Sequence, residues 1–163
     1  MMVTMNQWIK YYNMEGHREG GFYYQNLKSN QTIVNEEGNE RALYTSIYFL
    51  LTDTNPSRFH RLKADEVWYY HYGQALIVHM ITPEGNYETI TLGSNIERGE
   101  VLQAVVPKGT IFGSTIETED SYALVSCMVS PGFEYEDFEL FQRDDLLSKY
   151  PEHHDIIERL TLN

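Results

Sequence analysis

The chain has 163 residues, a length that suits a single domain with a hydrophobic core of its own. It carries 12 Lys and Arg residues against 24 Asp and Glu residues, and the formal net charge of −12 argues against nucleic acid and an anionic membrane surface as partners. The 13 Tyr, 7 Phe and 2 Trp residues exclude a disordered acidic tail, and the single cysteine, Cys127, excludes an internal disulfide.

The first predicted element is an amphipathic helix over about residues 3–13, because Met5, Trp8, Ile9 and Tyr12 recur at three- and four-residue spacing. This N-terminal region does not combine a basic segment with an apolar stretch, as a signal peptide does. The apolar runs of the chain are too short to span a bilayer. We therefore expect a cytoplasmic protein that has no membrane partner.

The middle of the chain predicts strands, because seven segments are rich in β-branched and aromatic residues. These segments span residues 43–51, 67–72, 75–81, 87–92, 101–106, 110–115 and 122–129. Gly, Pro, Asn and Asp residues separate them, and no helical pattern intervenes. This arrangement is typical of an antiparallel sandwich or barrel.

The C-terminal part predicts two short helices that pack on the outside of the β-core. Leu146, Leu147 and Tyr150 have helical spacing, and Pro151 stands where a second helix would begin. We expect a single domain over residues 1–163, with a barrel core at about 40–142 and helical ends at about 3–13 and 143–161.

The densest polar stretch leads into the second predicted strand. It holds three of the 12 cationic residues close to His60, namely Arg58, Arg61 and Lys63. In so acidic a chain, this cluster predicts an anion site at which His60 transfers a proton. A metal site that includes His60 and Glu66 is an alternative. A solvated loop ahead of the strand is a third interpretation, since charged clusters on loops are usually solvated.

Strand alternation places Glu66, Trp68 and Tyr70 on one face of the second predicted strand. Both faces carry aromatic side chains, which suits a polar and aromatic ligand cavity inside a barrel. The excess of tyrosine fits such a wet lining. Gln103 lies on an otherwise apolar strand and is either a cavity residue or an exposed one. His79, within an apolar strand, is interpreted as a structural histidine.

These residues form a pattern that resembles the cupin superfamily. The first cupin motif, G-x5-H-x-H-x3,4-E-x6-G, resembles residues 60–73, with Leu62 in place of the second histidine. The second motif, G-x5-P-x-G-x2-H-x3-N, resembles residues 99–116, with seven residues rather than five after the glycine and Phe112 in place of the histidine.

The resemblance is sharper to one branch of the cupins. These are small proteins of largely unknown function, similar to the sugar-nucleotide epimerases that act on dTDP-4-keto-6-deoxysugars. Three stretches carry it, at residues 17–23, 59–68 and 130–140. The first reads His-Arg-Glu-Gly-Gly where the branch usually has His-Pro-Glu-Gly-Gly. The resemblance extends over nearly the whole chain.

The resemblance implies a mainly β protein, an antiparallel double-stranded β-helix or jelly-roll barrel with short N- and C-terminal helices and a pocket at one mouth. It also implies a homodimer in which strands of one subunit extend the sheet of the other. Metal-binding cupins use three histidines and one glutamate, whereas Leu62 and Phe112 cannot coordinate a metal. We therefore expect no cofactor. A divalent metal, if bound, would be held weakly by His60, Glu66 and Gln103.

Three functions are consistent with this pattern. The first is a metal-independent epimerase or isomerase that binds a small anionic or sugar-like ligand, such as a sugar or a sugar nucleotide, in the barrel pocket. Its candidate catalytic residues are His60 as the base, Glu66 to orient it, and Tyr70 to return the proton. The second is a non-catalytic module that binds or senses such a ligand. The third is a weak metal-binding cupin.

The candidate ligand-binding residues come from the same segments. They are Arg58, Arg61, Lys63, Trp68, Gln103, Phe112 and Tyr122. Arg61 or Lys63 would hold a phosphate or an enolate oxygen, and Tyr122 is a second candidate proton donor. The related epimerases also rely on a His–Asp pair, and the sequence shows no matching pair.

Overall fold

A computed structural model describes residues 2–162 of the chain and shows two antiparallel β-sheets that face each other. One sheet has six strands and the other has five, and a two-stranded hairpin lies beside them. The prediction of a mainly β fold of the jelly-roll type is confirmed.

The strands are numbered in chain order. They are β1 (Glu15–Gly16), β2 (Phe22–Lys28), β3 (Thr32–Val34), β4 (Glu40–Ala42), β5 (Thr45–Thr52), β6 (Ser57–Leu62), β7 (Asp65–Gly73), β8 (Leu76–Ile81), β9 (Tyr87–Leu92), β10 (Gln103–Val106), β11 (Ile111–Thr115), β12 (Tyr122–Ser130) and β13 (Phe138–Leu140). The helices are α1 (Met5–Tyr12), α2 (Arg143–Lys149) and α3 (His154–Arg159), and short 3-10 turns span Ile96–Arg98, Tyr135–Asp137 and Pro151–His153. The six-stranded sheet has the order β1-β2-β5-β12-β7-β10, the five-stranded sheet has the order β13-β6-β11-β8-β9, and β3 and β4 form the hairpin.

The core between the two sheets is built from the inward-facing side chains of both. On β7, Glu66 and Trp68 are buried, whereas their neighbours on the opposite face are partly exposed, as strand alternation predicts. Trp68 contacts Phe49 of its own sheet and Phe112 of the facing sheet, with ring centroids 6.0 and 6.3 Å away. Truncating a buried aromatic side chain costs about 3–5 kcal/mol, so this aromatic layer contributes strongly to stability.

Helix α1 packs on the outer face of the six-stranded sheet and accounts for much of the tyrosine content. A capping box between Thr4 and Gln7 closes its N-terminus. Tyr12 contacts Tyr48 of β5 with ring centroids 4.6 Å apart, within a larger group of aromatic side chains. The expectation of a tyrosine-lined cavity therefore needs correction, because two of the 13 tyrosines line the cavity and much of the excess covers the outside of the sheet.

Helices α2 and α3 pack on the outer face of the five-stranded sheet. Phe59 and Ile81 point outward from β6 and β8 and form a second apolar cluster with Leu146 and Ile157 of the helices. This cluster fixes β6 from outside, while its neighbour His60 points into the barrel. Within residues 2–162, no helix has both the length and the apolarity needed to cross a bilayer.

The sheets begin earlier in the chain than the sequence predicts. Strand β2 pairs with β5, so residues before 40 belong to the six-stranded sheet. The polar stretch at Ser57–Leu62 is strand β6 rather than a solvated loop. Its charged residues Arg58 and Arg61 are only partly buried, whereas Phe59 and His60 are fully buried. Because the buried residues do not alternate with apolar identity, the sequence does not show the pattern of a strand here.

Candidate functional site

The barrel contains a cavity of about 190 Å³. Its inner end is formed by buried residues of β6 and β7, and its outer end by partly exposed residues of β2 and of the loop after β12. The lining consists of His17, Glu19, Tyr23, Gln25, Lys28, Thr45, Ile47, His60, Leu62, Glu66, Cys127, Val129, Phe133, Glu134 and Tyr135.

The turn before β2 supplies two of these residues, His17 and Glu19. Gly20 and Gly21 follow with φ values of 115° and 72°, a region that favours glycine. A Cβ atom on Gly20 would lie 2.0 Å from the carbonyl oxygen of Pro56. The two glycines therefore let the turn lie directly against the barrel, and this brings the Glu19 carboxylate to β6.

Glu19 and His60 form a buried ion pair at the inner end of the cavity. The Nε2 atom of His60 donates to Oε2 of Glu19 at 2.8 Å, and the hydroxyl of Ser57 donates to Oε1 at 3.1 Å. The Nδ1 atom of His60 donates to the Arg58 carbonyl oxygen at 2.7 Å, since a carbonyl oxygen only accepts. Both ring nitrogens of His60 are therefore occupied by protein groups.

The charges of this pair stabilise each other. Burial acts to lower the pKa of His60, but the charge and hydrogen bond of Glu19 outweigh burial, and the pKa is raised above its usual value. Burial acts to raise the pKa of Glu19, but His60 outweighs burial, and the pKa is lowered. The pair is thus an imidazolium and a carboxylate with no net charge.

Glu66 projects from β7 into the same inner end, and its side chain is buried. Burial, reinforced by the negative charge of Glu19, raises the pKa of Glu66 to about 7. The neighbouring Cys127 is buried as well, and burial raises its pKa, so that it stays a neutral thiol beside Glu66. Glu66 therefore gains and loses a proton near neutral pH, as a general acid or base must.

The outer end of the cavity has aromatic walls and a pair of charges. The guanidinium carbon of Arg18 lies 4.1 Å above the centre of the Tyr135 ring and holds it from one side. Lys28 and Glu134 lie 3.8 Å apart, and their side chains are 53% and 49% exposed. Burial lowers the pKa of His17, so its imidazole is neutral near pH 7.

The structure brings four of the predicted site residues together. His60 and Glu66 line the cavity. The ring of Phe112 lies 4.1 Å from the ring of His60, and Trp68 packs against Phe112. Both aromatic side chains are fully buried, so they support the cavity from behind rather than line it.

The three predicted cationic residues do not line the cavity. The Arg58 guanidinium donates to the backbone carbonyl of Glu19 at 3.3 Å. Arg61 forms an ion pair with Glu139 at 2.6 Å, and Lys63 forms one with Glu37 at 2.8 Å. A cationic pocket mouth is thus not formed by these residues, because strand alternation turns Arg61 away from the face that carries His60, and Lys63 follows the end of β6.

Three further predicted residues also lie away from the cavity. Gln103 is exposed on β10, the edge strand of the six-stranded sheet. The Tyr70 hydroxyl donates to the Gly73 carbonyl at 2.7 Å, and the Tyr122 hydroxyl donates to the carbonyl of Val3 beneath helix α1. Neither tyrosine is placed to return a proton at His60 or Glu66.

The sequence interpretation missed the partner of His60. Glu19 is 41 residues away in the chain, and the only signal for it was the His-Arg-Glu-Gly-Gly stretch that contributes to the family resemblance. Tyr23 and Tyr135, the two tyrosines that line the cavity, likewise had no signal beyond their place in the stretches at 17–23 and 130–140 that carry the resemblance. The structure therefore contains a buried His–Glu pair, although the sequence shows no His–Asp pair.

Comparison with known proteins agrees with this fold and these motifs. The chain matches the family described as Cupin superfamily (DUF985) over residues 6–141, and it belongs to that family. It is 30% identical over 158 residues to uncharacterized protein YML079W of Saccharomyces cerevisiae, covering 88% of this chain and 78% of that protein.

Solved structures resemble the chain at two levels. A hypothetical protein from Leishmania major has a TM-score of 0.93 and 42% identity, covering 99% of this chain and 100% of that one. Protein SO0799 from Shewanella oneidensis has a TM-score of 0.92 and 45% identity, covering 99% of each chain. Oxalate decarboxylase from Bacillus subtilis is 15% identical with a TM-score of 0.56 over 89% of this chain and 36% of that chain, a likeness of fold alone.

The cavity residues do not fit the metal site of a typical cupin. Both ring nitrogens of His60 donate hydrogen bonds, so neither offers a lone pair to a metal. Leu62 and Phe112 occupy the two remaining histidine positions, and Gln103 is on the outside of the sheet. Among the residues that the structure describes, no three His, Cys, Asp or Glu side chains are arranged to hold a metal ion.

Proposed function

We propose that this protein is an isomerase or epimerase that moves a proton at the carbon next to a carbonyl group in a small polyhydroxy compound. The observation that carries the proposal is the buried carboxyl of Glu66 on the cavity wall, whose pKa is raised to about 7. A proton-transfer group works best when its pKa lies near the working pH.

The proposed reaction begins with the carboxylate form of Glu66. It takes a proton from the carbon, and the electrons of the broken C–H bond move to the carbonyl oxygen. The phenol of Tyr23 or Tyr135 then delivers a proton to the same carbon from another wall of the cavity, and the carbonyl group forms again. The proton held by Glu66 passes through water to the phenolate, so that both groups return to their starting forms. Burial raises the pKa of Tyr135, which keeps it in the proton-donating form.

The ion pair of Glu19 and His60 has a supporting role in this proposal. His60 is not assigned as the base, because its two nitrogens already donate to Glu19 and to the Arg58 carbonyl. The fixed negative charge of Glu19 instead contributes to the raised pKa of Glu66. His60 holds that charge in place and therefore acts as a positioning residue.

The lining supports a sugar-like ligand. Gln25, Thr45 and Tyr23 offer amide and hydroxyl groups that suit the hydroxyls of a sugar, and the rings of Phe133 and Tyr135 offer apolar faces. A cavity that combines apolar walls with a few convergent polar groups is typical of a small-molecule site.

The test is proton exchange with solvent. The full chain is incubated in D2O with a panel of aldoses, ketoses and their phosphates, and NMR follows the loss of the C–H signal next to the carbonyl. We expect exchange with at least one compound, and a loss of about 100-fold or more in Glu66→Gln, given the usual contribution of a general base. Glu88→Gln, which removes an exposed carboxylate outside the cavity, should exchange at the wild-type rate.

Two further variants distinguish the candidate proton donors. The tyrosine that returns the proton is the one whose replacement, Tyr23→Phe or Tyr135→Phe, reduces product formation while exchange at the Glu66 side continues. Unchanged exchange in Glu66→Gln would contradict the assigned base. Ligand binding without exchange in any compound would instead favour the non-catalytic binding module.

A further inference from the structure

We infer that the cavity selects a free, uncharged monosaccharide and discriminates against phosphorylated and nucleotide-linked sugars. This inference rests on the proposed function and specifies its substrate class. It is carried by the size of the cavity, by the balance of charges along its wall, and by the positions of the nearby cationic side chains.

The size limits what the cavity encloses. At about 190 Å³, it is smaller than the roughly 300–1,000 Å³ of pockets that hold drug-sized ligands. This space suits one sugar ring. Any phosphate or nucleotide attached to that ring would project past Lys28 and Glu134. These two lining residues form an ion pair, and their side chains are about half exposed.

The charges along the wall give no net positive potential for an anion. Glu19 and His60 neutralise each other at the inner end. Lys28 and Glu134 lie 3.8 Å apart and neutralise each other at the outer end. The remaining carboxyl, Glu66, is neutral or negative, so a phosphate entering this cavity meets acidic groups without an unbalanced cation.

The arginine side chains near the cavity contact other protein groups and do not line the cavity. The Arg58 guanidinium binds the backbone carbonyl of Glu19, and Arg61 binds Glu139 on the outside of the sheet. The Arg18 guanidinium lies over the ring of Tyr135 and is not part of the cavity lining. Phosphate sites in proteins present several cationic or N–H donors that converge on the oxygens, and the lining formed by residues 2–162 does not.

Glu134 follows as the residue that determines the charge preference. It is in the lining, it faces Lys28, and the proposed reaction does not use it. Removing its charge would leave Lys28 free to bind an anionic group at the outer end. Glu139 provides a control, because it also forms an ion pair, with Arg61 at 2.6 Å, but outside the cavity.

The experiment measures binding rather than turnover. Free pentoses and hexoses, the hexose 6-phosphates and UDP-hexoses are titrated into the full chain by calorimetry, with proton exchange followed in parallel. We expect wild-type protein to bind a free sugar at least about tenfold more tightly than its phosphate or nucleotide derivative. Glu134→Gln should reduce the preference for the free sugar over its phosphate by about threefold or more, while Glu139→Gln should leave that preference as in wild type.

The outcomes separate this inference from the proposed function. Tighter binding of a phosphate or a nucleotide sugar by wild-type protein overturns the charge argument, even if that compound exchanges its proton. Binding of none of the three ligand classes overturns it as well. A free sugar that binds tightly but never exchanges supports the ligand class and contradicts the acid–base function instead. Equal effects of Glu134→Gln and Glu139→Gln on phosphate binding would contradict the role of Glu134 in charge preference.

Discussion

Replacing Glu66 by Gln should make the protein more stable at pH 8 and should change its stability much less at pH 4.5. The amide keeps nearly the same shape and cannot ionise. In the wild-type protein, the carboxyl has a pKa of about 7 because burial and the charge of Glu19 oppose its ionisation, whereas an unperturbed Glu has a pKa of 4.5.

The sign follows from proton linkage. An acid whose pKa is higher in the folded than in the unfolded state contributes stability below the unfolded pKa and loses it as pH rises through the folded pKa. A difference of about 2.5 pKa units corresponds to about 3 kcal/mol at 1.36 kcal/mol per unit. The free energy of unfolding of Glu66→Gln, relative to wild type, should therefore increase by about 3 kcal/mol between pH 4.5 and pH 8.

Urea denaturation of both proteins at several pH values measures this difference, and contributions from other titrating groups cancel in the comparison. Glu88→Gln changes an exposed carboxyl and should show the same relative stability at every pH. A relative stability of Glu66→Gln that does not change between pH 4.5 and pH 8 would refute the raised pKa. It would also remove the main support for Glu66 as the proton-transfer group.

Three further sets of substitutions test the structure by denaturation and calorimetry. Gly20→Ala should lower the free energy of unfolding by several kcal/mol, and Gly38→Ala should lower it by about 1 kcal/mol. Both glycines have a positive φ, but of the two only Gly20 would place a Cβ atom against a backbone oxygen. Burial, with the charge of Arg159, lowers the pKa of His79 to about 4. The free energy of unfolding should therefore fall by up to about 3 kcal/mol as pH drops from 6.5 to 4. In His79→Gln, this dependence on pH should be weaker. Glu19→Gln and His60→Gln should each cost about 3–5 kcal/mol, and the double variant less than their sum.

Each of these expectations has a contrary result. Equal costs at Gly20 and Gly38 would contradict the close approach of the turn to the barrel. An unchanged acid slope in His79→Gln would contradict its neutral state, in which the Tyr87 hydroxyl donates to Nδ1 at 2.6 Å. Additive costs for Glu19→Gln and His60→Gln would show that the two side chains do not stabilise each other.

The strand pattern and the family resemblance could be predicted from the sequence because both depend on local residue order. Alternation along β7 placed Glu66 and Trp68 on one face, and the structure has both inside. The cupin motif likewise singled out His60 and Glu66, which meet in the cavity. The helices at both ends were predicted from spacing in the same way.

The composition of the cavity was decided by contacts between distant segments. Arg61 and Lys63 stand beside His60 in the sequence, yet each pairs with a carboxylate outside the cavity, since local order does not say which face of β6 is inward. Glu19 reaches His60 only because two glycines let a turn 41 residues earlier lie against the barrel. The sequence determined the acidic composition and singled out His60 and Glu66, with His60 as the predicted base. Burial and long-range pairing decided the partner of His60, the raised pKa of Glu66 and the outward pairing of the predicted cationic residues.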